Sequence, residues 1–124
     1  MEEKDTITTE RKLDLEARTQ KFAISVRSFL KKIMKTRANI EDGKQLIRAS
    51  GSVAANYIEA GEAISRKDFV YRSMICRKEA KECVLFLRLL DMYENEMLEM
   101  ERASLVREAM ELTKIFGSIV TKTR

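Results

Sequence analysis

The amino-acid sequence predicts an all-α fold, an up-down-up-down four-helix bundle. The 124 residues contain no proline and four glycines, whereas β-rich and loop-rich folds usually need proline in their turns. In four successive segments, apolar residues recur at alternating three- and four-residue steps, the period of an amphipathic helix. Short polar connections separate these segments, which is typical of antiparallel neighbours within one domain.

The first helix is predicted over 14–35, with Asp14 as its N-cap. Residues 1–12 lack a helical period and are predicted to form a frayed tail before a single domain at 13–124. The apolar face of this helix contains Leu15, Phe22, Val26, Phe29, Leu30 and Ile33. A connection is predicted over 36–42, where Asp42-Gly43 is turn-like and Asp42 is positioned to cap the next helix.

The other three helices are predicted over 44–64, 66–93 and 96–121, and Asn95 falls in the last connection. Ser65 and Asp68 resemble a capping box at the start of the third helix. Each helix has one heptad seam for the core. The seams are Leu46, Ser50, Val53, Tyr57, Ala60 and Ile64; then Phe69, Ser73, Cys76, Ala80, Cys83, Leu87 and Leu90; then Leu105, Ala109, Leu112, Phe116 and Ile119.

Apolar residues outside these seams favour a homo-oligomer. A second row on the second helix contains small residues, Gly51, Ala54 and Gly61, between Ile47 and Ile58. This row predicts a close helix crossing, either within the chain or between chains. The third helix has a further apolar flank, which a lone bundle would leave exposed. That flank comprises Tyr71, Ile75, Phe86, Leu89 and Tyr93.

Polar residues on the second helix predict a hydrogen-bonded network with the third helix. They are Arg48, Ser52, Asn56 and Glu59, and across the bundle the third helix offers Arg77, Lys78, Glu79 and Glu82. A carboxylate site for magnesium, built from Glu59, Glu62, Glu79 and Glu82, is the alternative. The chain has no histidine, which bundle di-iron sites require, so we expect no metal, no cofactor and no enzymatic activity.

Basic residues cluster in one segment of the chain, 17–40, which contains no acidic residue. The seven candidates for nucleic-acid binding are Arg18, Lys21, Arg27, Lys31, Lys32, Lys35 and Arg37. Six glutamates follow between 94 and 111. Two interpretations remain open: these opposite charges pair at the surface between the first and fourth helices, or the basic face contacts phosphates, multiplied by the symmetry of an oligomer.

The two cysteines and the hydropathy pattern indicate a cytoplasmic protein. Cys76 and Cys83 lie about 10 Å apart along a helix, too far for a disulfide with each other, and are expected to be reduced thiols. The longest uncharged run, 49–58, is ten residues, too short to cross a membrane.

The runs QLIRASGSVAANYIEA at 45–60, SRKDF at 65–69 and KEAKE at 78–82 resemble the bacterial four-helix bundle family called 23S ribosomal RNA intervening-sequence proteins, or S23 ribosomal proteins. The most specific part of the resemblance is the pattern Gln45, Arg48, Ser52, Asn56 and Glu59 on the second helix, which adds Gln45 to the predicted network. The resemblance covers roughly 13–121 and implies a ring-shaped homo-oligomer, with pentamers as the typical form. Related accessory proteins of diversity-generating retroelements bind nucleic acid and a reverse transcriptase. The resemblance therefore implies an oligomeric scaffold for RNA, DNA or a nucleic-acid enzyme.

One departure from the family pattern leaves the subfamily open. Many members read Asn-Ile-Ala-Glu-Gly where this chain reads Asn-Tyr-Ile-Glu-Ala at 56–60. The alternative function is a structural or protein-interaction module without nucleic-acid binding.

Overall fold

The computed structural model describes residues 9–124 of the chain. Four helices occupy this range: α1 (Thr9–Leu30), α2 (Arg37–Gly61), α3 (Arg66–Leu89) and α4 (Glu96–Thr123). Each helix packs against the next, and α4 also packs against α1. The predicted all-α four-helix bundle is therefore confirmed.

The core consists largely of the predicted seams. Leu46, Val53, Cys76, Leu87 and Phe116 are among the seam residues with no exposed surface. Leu30 and Phe69 are partly buried and pack against this core. Ile64 is an exception, because α2 ends at Gly61 and leaves the Ile64 side chain 96% exposed in the following loop. A three- and four-residue apolar period thus identifies nearly every core position.

The connection between α1 and α2 lies earlier than predicted. α1 ends at Leu30, and α2 begins at Arg37 after Thr36, whose side chain accepts a hydrogen bond from Asn39 N at 3.2 Å. Thr36 is therefore the N-cap, and the predicted cap at Asp42 is wrong. Gly43 lies within the helix, next to the Leu30 side chain, at a position where an added Cβ atom would make an ordinary van der Waals contact with Leu30 Cδ2 at 3.5 Å. At the other end of α1, residues 9–12 of the predicted tail are helical, and residues 1–8 lie outside the described range.

The two remaining connections follow clear local signals. The Ser65 side chain accepts from Asp68 N at 3.0 Å, which confirms the predicted cap of α3. α3 ends at Leu89, four residues before the predicted end, and Tyr93 and Glu94 then adopt left-handed backbone angles with φ of 51° and 61°. Asn95 caps α4 by accepting from Leu98 N at 3.0 Å.

Asn39 joins the two connections at one end of the bundle. Its Nδ2 donates to Met34 O at 3.0 Å and to Asp91 O at 2.9 Å, and its Oδ1 accepts from Asp91 N at 2.9 Å. The Asn39 side chain is buried. It therefore satisfies backbone groups of the α1–α2 and α3–α4 connections that water does not reach easily.

We expect Asn39→Ala to lower the free energy of unfolding by about 2–3 kcal/mol, because it removes three hydrogen bonds between a buried side chain and the backbone. Urea unfolding followed by circular dichroism measures this change. Asn95→Ala is a suitable control, since losing an exposed helix cap costs about 1 kcal/mol. If Asn39→Ala lowers the free energy of unfolding no more than the control does, the Asn39 side chain does not stabilise the two connections.

Candidate functional site

Arg48 on α2 binds two carboxylates of α3. Its Nη1 donates to Glu79 Oε2 at 3.2 Å and its Nη2 to Glu82 Oε1 at 2.7 Å, while Nε donates to Gln45 Oε1 at 3.4 Å. The hydrogen bond with Glu79 is the main cause that raises the pKa of Arg48 above its usual value. The Glu79 side chain is 8% exposed, and its Oε1 has no hydrogen-bond partner among the described residues. Arg48 is therefore the cation that compensates a buried carboxylate.

Asn56 forms a second polar bridge between α2 and α3. Its Nδ2 donates to the backbone oxygen and to the hydroxyl of Ser52, both at 3.0 Å, and its Oδ1 accepts from Arg72 Nη1 at 3.1 Å. The Arg72 guanidinium lies 5.8 Å from the centre of the Tyr71 ring. Glu59 is exposed and lies outside both groups. Four of the five predicted network residues are thus brought together in two clusters.

The cysteines and glutamates of this region of α3 occupy buried or ion-paired positions. Burial raises the pKa of Cys76 and Cys83 to about 12, so both thiols remain protonated near neutral pH and are poor nucleophiles. Glu79 and Glu82 share Arg48 as their partner. Within the part of the chain that the structure describes, no three Asp, Glu or Cys side chains are grouped closely enough to hold a metal ion.

The seven basic candidate residues do not form one surface. Arg18 donates to both oxygens of Glu108 at 2.7 and 2.9 Å, and Lys32 binds both oxygens of Glu101 at 3.0 and 3.1 Å. These contacts pair α1 with α4, as one of the two interpretations expected. The Arg18–Glu108 pair borders a 530 Å³ cavity between the two helices.

The other members of the basic set have different surroundings. Arg27 donates to the backbone oxygens of Ala23 and Ile47 at 3.0 and 3.3 Å, and Lys35 donates to carbonyls at the end of α1. Lys21, Lys31 and Arg37 are exposed and have no ion pair among the described residues. These three cations lie on α1, in the following loop and at the first position of α2, respectively.

The small-residue row of α2 faces α1 at Gly51. A Cβ atom added to Gly51 would lie 3.3 Å from Arg27 Nη2, so the glycine makes room for this guanidinium. Ala54 is buried, and Gly61 is the last residue of α2. At Gly51, therefore, the small residue serves a crossing within the chain.

A row of large apolar side chains covers the outer face of α3. It consists of Tyr71, Met74, Leu85 and Leu89, whose exposed fractions lie between 45% and 57%. We call this row the α3 apolar stripe. Ile75 and Phe86, which the sequence analysis placed on the flank, are only partly exposed, and Phe86 packs against the core. Met74 and Leu85 were missed there, although they extend the three- and four-residue period from Tyr71 to Leu89.

A family comparison assigns the chain. The model of the 23S rRNA-intervening sequence protein family matches residues 11–118. The chain belongs to this family. The match includes both polar clusters and the α3 apolar stripe, and it confirms the resemblance inferred from the sequence runs at 45–60, 65–69 and 78–82.

A solved structure has the same fold as this member of the 23S rRNA-intervening sequence protein family. It is a protein of unknown function from the S23 ribosomal protein family of Bacteroides thetaiotaomicron, with 27% identity and a TM-score of 0.74. The alignment covers 89% of this chain and 97% of that protein. A comparison with curated proteins found no match. None of the helices within 9–124 has the length and apolar character that crossing a membrane requires.

We expect Arg48→Met to lower the free energy of unfolding by about 2 kcal/mol, because it leaves the Glu79 carboxylate buried without a cation. The double variant with Glu79→Met should recover most of that loss, since both charges are then replaced by apolar groups of similar size. Urea unfolding of both variants measures the coupling. Glu82→Met, at a more exposed carboxylate, serves as the control and should change stability by less than about 1 kcal/mol. Equal losses in the single and double variants contradict the pairing.

Proposed function

We propose that this protein is a non-enzymatic scaffold that assembles with copies of itself through the α3 apolar stripe. The main observation that supports this proposal is the stripe itself, which places four large, half-exposed apolar side chains on one helix face. From Tyr71 to Leu89 it extends about 27 Å along the axis. Tyr71 and Met74 lie at one end and Leu85 and Leu89 at the other, with Lys78 and Glu82 between them. Large apolar side chains that are grouped on one exposed helix face often mark an interaction site.

The surroundings of the stripe favour a specific contact between folded surfaces. Lys78 and Glu82 lie on the same helix face, between Met74 and Leu85, and form an ion pair at 3.5 Å. The stripe therefore has two apolar ends with a charged pair between them. Arg72, fixed by Asn56, lies near the Tyr71 ring and restricts its position. A mixture of apolar and charged side chains is common in protein–protein interfaces.

A second copy of this chain is the proposed occupant. Family resemblance supports this choice, because it implies closed rings of identical subunits, typically pentamers. In a ring, each subunit uses two different patches, so the stripe would meet another face of the neighbouring chain. We also propose that the protein has no enzymatic role. Both thiols are buried and protonated, and the neighbouring carboxylates bind Arg48.

Two glutamates within the stripe should break the assembly. We expect Leu85→Glu combined with Leu89→Glu to give a folded protomer, because two charges would have to be buried without partners. Analytical ultracentrifugation measures the mass, and circular dichroism verifies the fold. The matched control is Ile24→Glu with Ile64→Glu, which alters two exposed isoleucines outside the stripe. An unchanged mass in the Leu85/Leu89 variant, or dissociation of both variants alike, contradicts the proposed interface.

We also propose that the scaffold binds nucleic acid through basic surface. The unpaired, exposed cations Lys21, Lys31 and Arg37 support this function, and assembly would repeat them in every subunit. The family resemblance supports RNA or DNA as the ligand and a nucleic-acid enzyme, such as a reverse transcriptase, as a further partner.

Binding to nucleic acid should depend steeply on salt. Each phosphate contact releases counterions, so affinity for a duplex of mixed sequence should fall by orders of magnitude between about 50 and 200 mM salt if six or more contacts form. Fluorescence anisotropy with labelled RNA and DNA measures this slope. If neither RNA nor DNA binds at low salt, nucleic-acid binding is ruled out. The role of the assembly would then be that of a protein-interaction module.

A further inference from the structure

A second basic surface lies on α3 and α4, away from the segment that the sequence analysis selected. It contains five exposed cations, and none of them has an ion pair within the part of the chain that the structure describes. These residues, which we call the α3–α4 basic surface, are Arg77, Lys81 and Arg88 on α3 and Arg107 and Lys114 on α4.

Contacts between α3 and α4 bring the two sets of cations together. A Cβ atom added to Gly117 would lie 3.5 Å from Arg77 Cδ, so the Arg77 side chain lies across α4. Arg88 Nη2 approaches Met110 Sδ at 3.9 Å. Arg88 and Arg107 line one 390 Å³ groove between the helices. One cation of each helix, Arg88 and Arg107, therefore borders a common groove.

Nearby carboxylates leave this surface positive. Glu99, which also lines the groove, binds Arg102 Nη2 at 2.6 Å. Glu111 lies one turn from both Arg107 and Lys114 but forms no ion pair with either among the described residues; it also helps to raise the pKa of Arg18 on α1, after the larger effect of Glu108. On α1, by contrast, Glu101 and Glu108 neutralise Lys32 and Arg18 directly. The α3–α4 basic surface is thus less neutralised than the α1 segment.

We infer that the α3–α4 basic surface binds the phosphate backbone of double-stranded nucleic acid. The inference rests on the proposed nucleic-acid binding and identifies the surface and the form of ligand. From Arg77 to Arg88 the α3 cations extend about 17 Å, which matches about five phosphates of one strand at 3.4 Å each.

The residues of the groove favour a duplex over a single strand. Proteins that hold single strands combine cations with aromatic side chains on which bases stack. The groove residues include no aromatic side chain, and Tyr71 belongs to the α3 apolar stripe. Contacts from cations alone reach phosphates, which position a duplex without reading its sequence.

Two matched double variants test this surface. Lys81→Glu with Lys114→Glu changes the α3–α4 basic surface, and Lys21→Glu with Lys31→Glu changes the exposed cations of α1 and the following loop. All four lysines are exposed, and both double variants change the net charge by the same amount. The probes are labelled duplexes of about 20 base pairs, DNA and RNA, with oligothymidylate as the single strand. Ultracentrifugation and circular dichroism verify the assembly and fold of each variant.

We expect both variants to lose duplex affinity, and the Lys81/Lys114 variant to lose much more of it than the Lys21/Lys31 variant. The slope of log affinity against log salt should fall by about two for each protomer in contact, one for each lost phosphate contact. Three results would overturn the inference while nucleic-acid binding stands. They are equal losses in both variants, a loss confined to Lys21/Lys31, and tighter binding to oligothymidylate than to duplex. No binding of any probe by the unaltered protein overturns both proposals.

Discussion

The buried carboxylate of Glu79 constrains how α3 is oriented in the bundle. An ionised group in the protein interior is very unfavourable without a cation, and Arg48 of α2 is the cation within reach. Rotation of α3 about its axis would separate the two groups. The same rotation would also expose the thiols of Cys76 and Cys83, which are buried in the core. The Arg48–Glu79 pair and the core seam therefore select one orientation.

This orientation gives α3 three different outer environments. The side toward α2 carries the polar clusters around Arg48 and Asn56, the outer face carries the α3 apolar stripe, and the side toward α4 carries Arg77 and Arg88. An apolar interface and a basic surface on different sides of one helix do not compete for the same contacts. Such a division suits a scaffold that holds its own copies with one surface and a charged ligand with another.

The fold was largely predictable because the core depends on a local period. Residues such as Val53, Cys83 and Leu112 follow that period and are buried. The connections were harder to predict, since Asn39 joins them by hydrogen bonds to Asp91, which lies 52 residues later in the chain. No local pattern links these two residues.

The surfaces were only partly predictable, because their contacts join residues that are distant in the chain. A run of cations in the sequence does not show which of them meet carboxylates, and Arg18 meets Glu108 only because α4 returns beside α1. The α3–α4 basic surface was missed because its cations come from two helices, and those of α3 are mixed with Asp68, Glu79 and Glu82. On the α3 apolar stripe, Tyr71 and Leu89 were identified, whereas Met74 and Leu85, which are exposed to a similar extent, were not.

The association of identical chains through the α3 apolar stripe is the central claim of this account. Sedimentation equilibrium of the unaltered protein at micromolar concentration tests it most directly, because the equilibrium mass does not depend on molecular shape. The account predicts one species whose mass is a whole multiple, greater than one, of the 14.4 kDa protomer. A single species at the protomer mass itself, persisting as the concentration is raised, would contradict it.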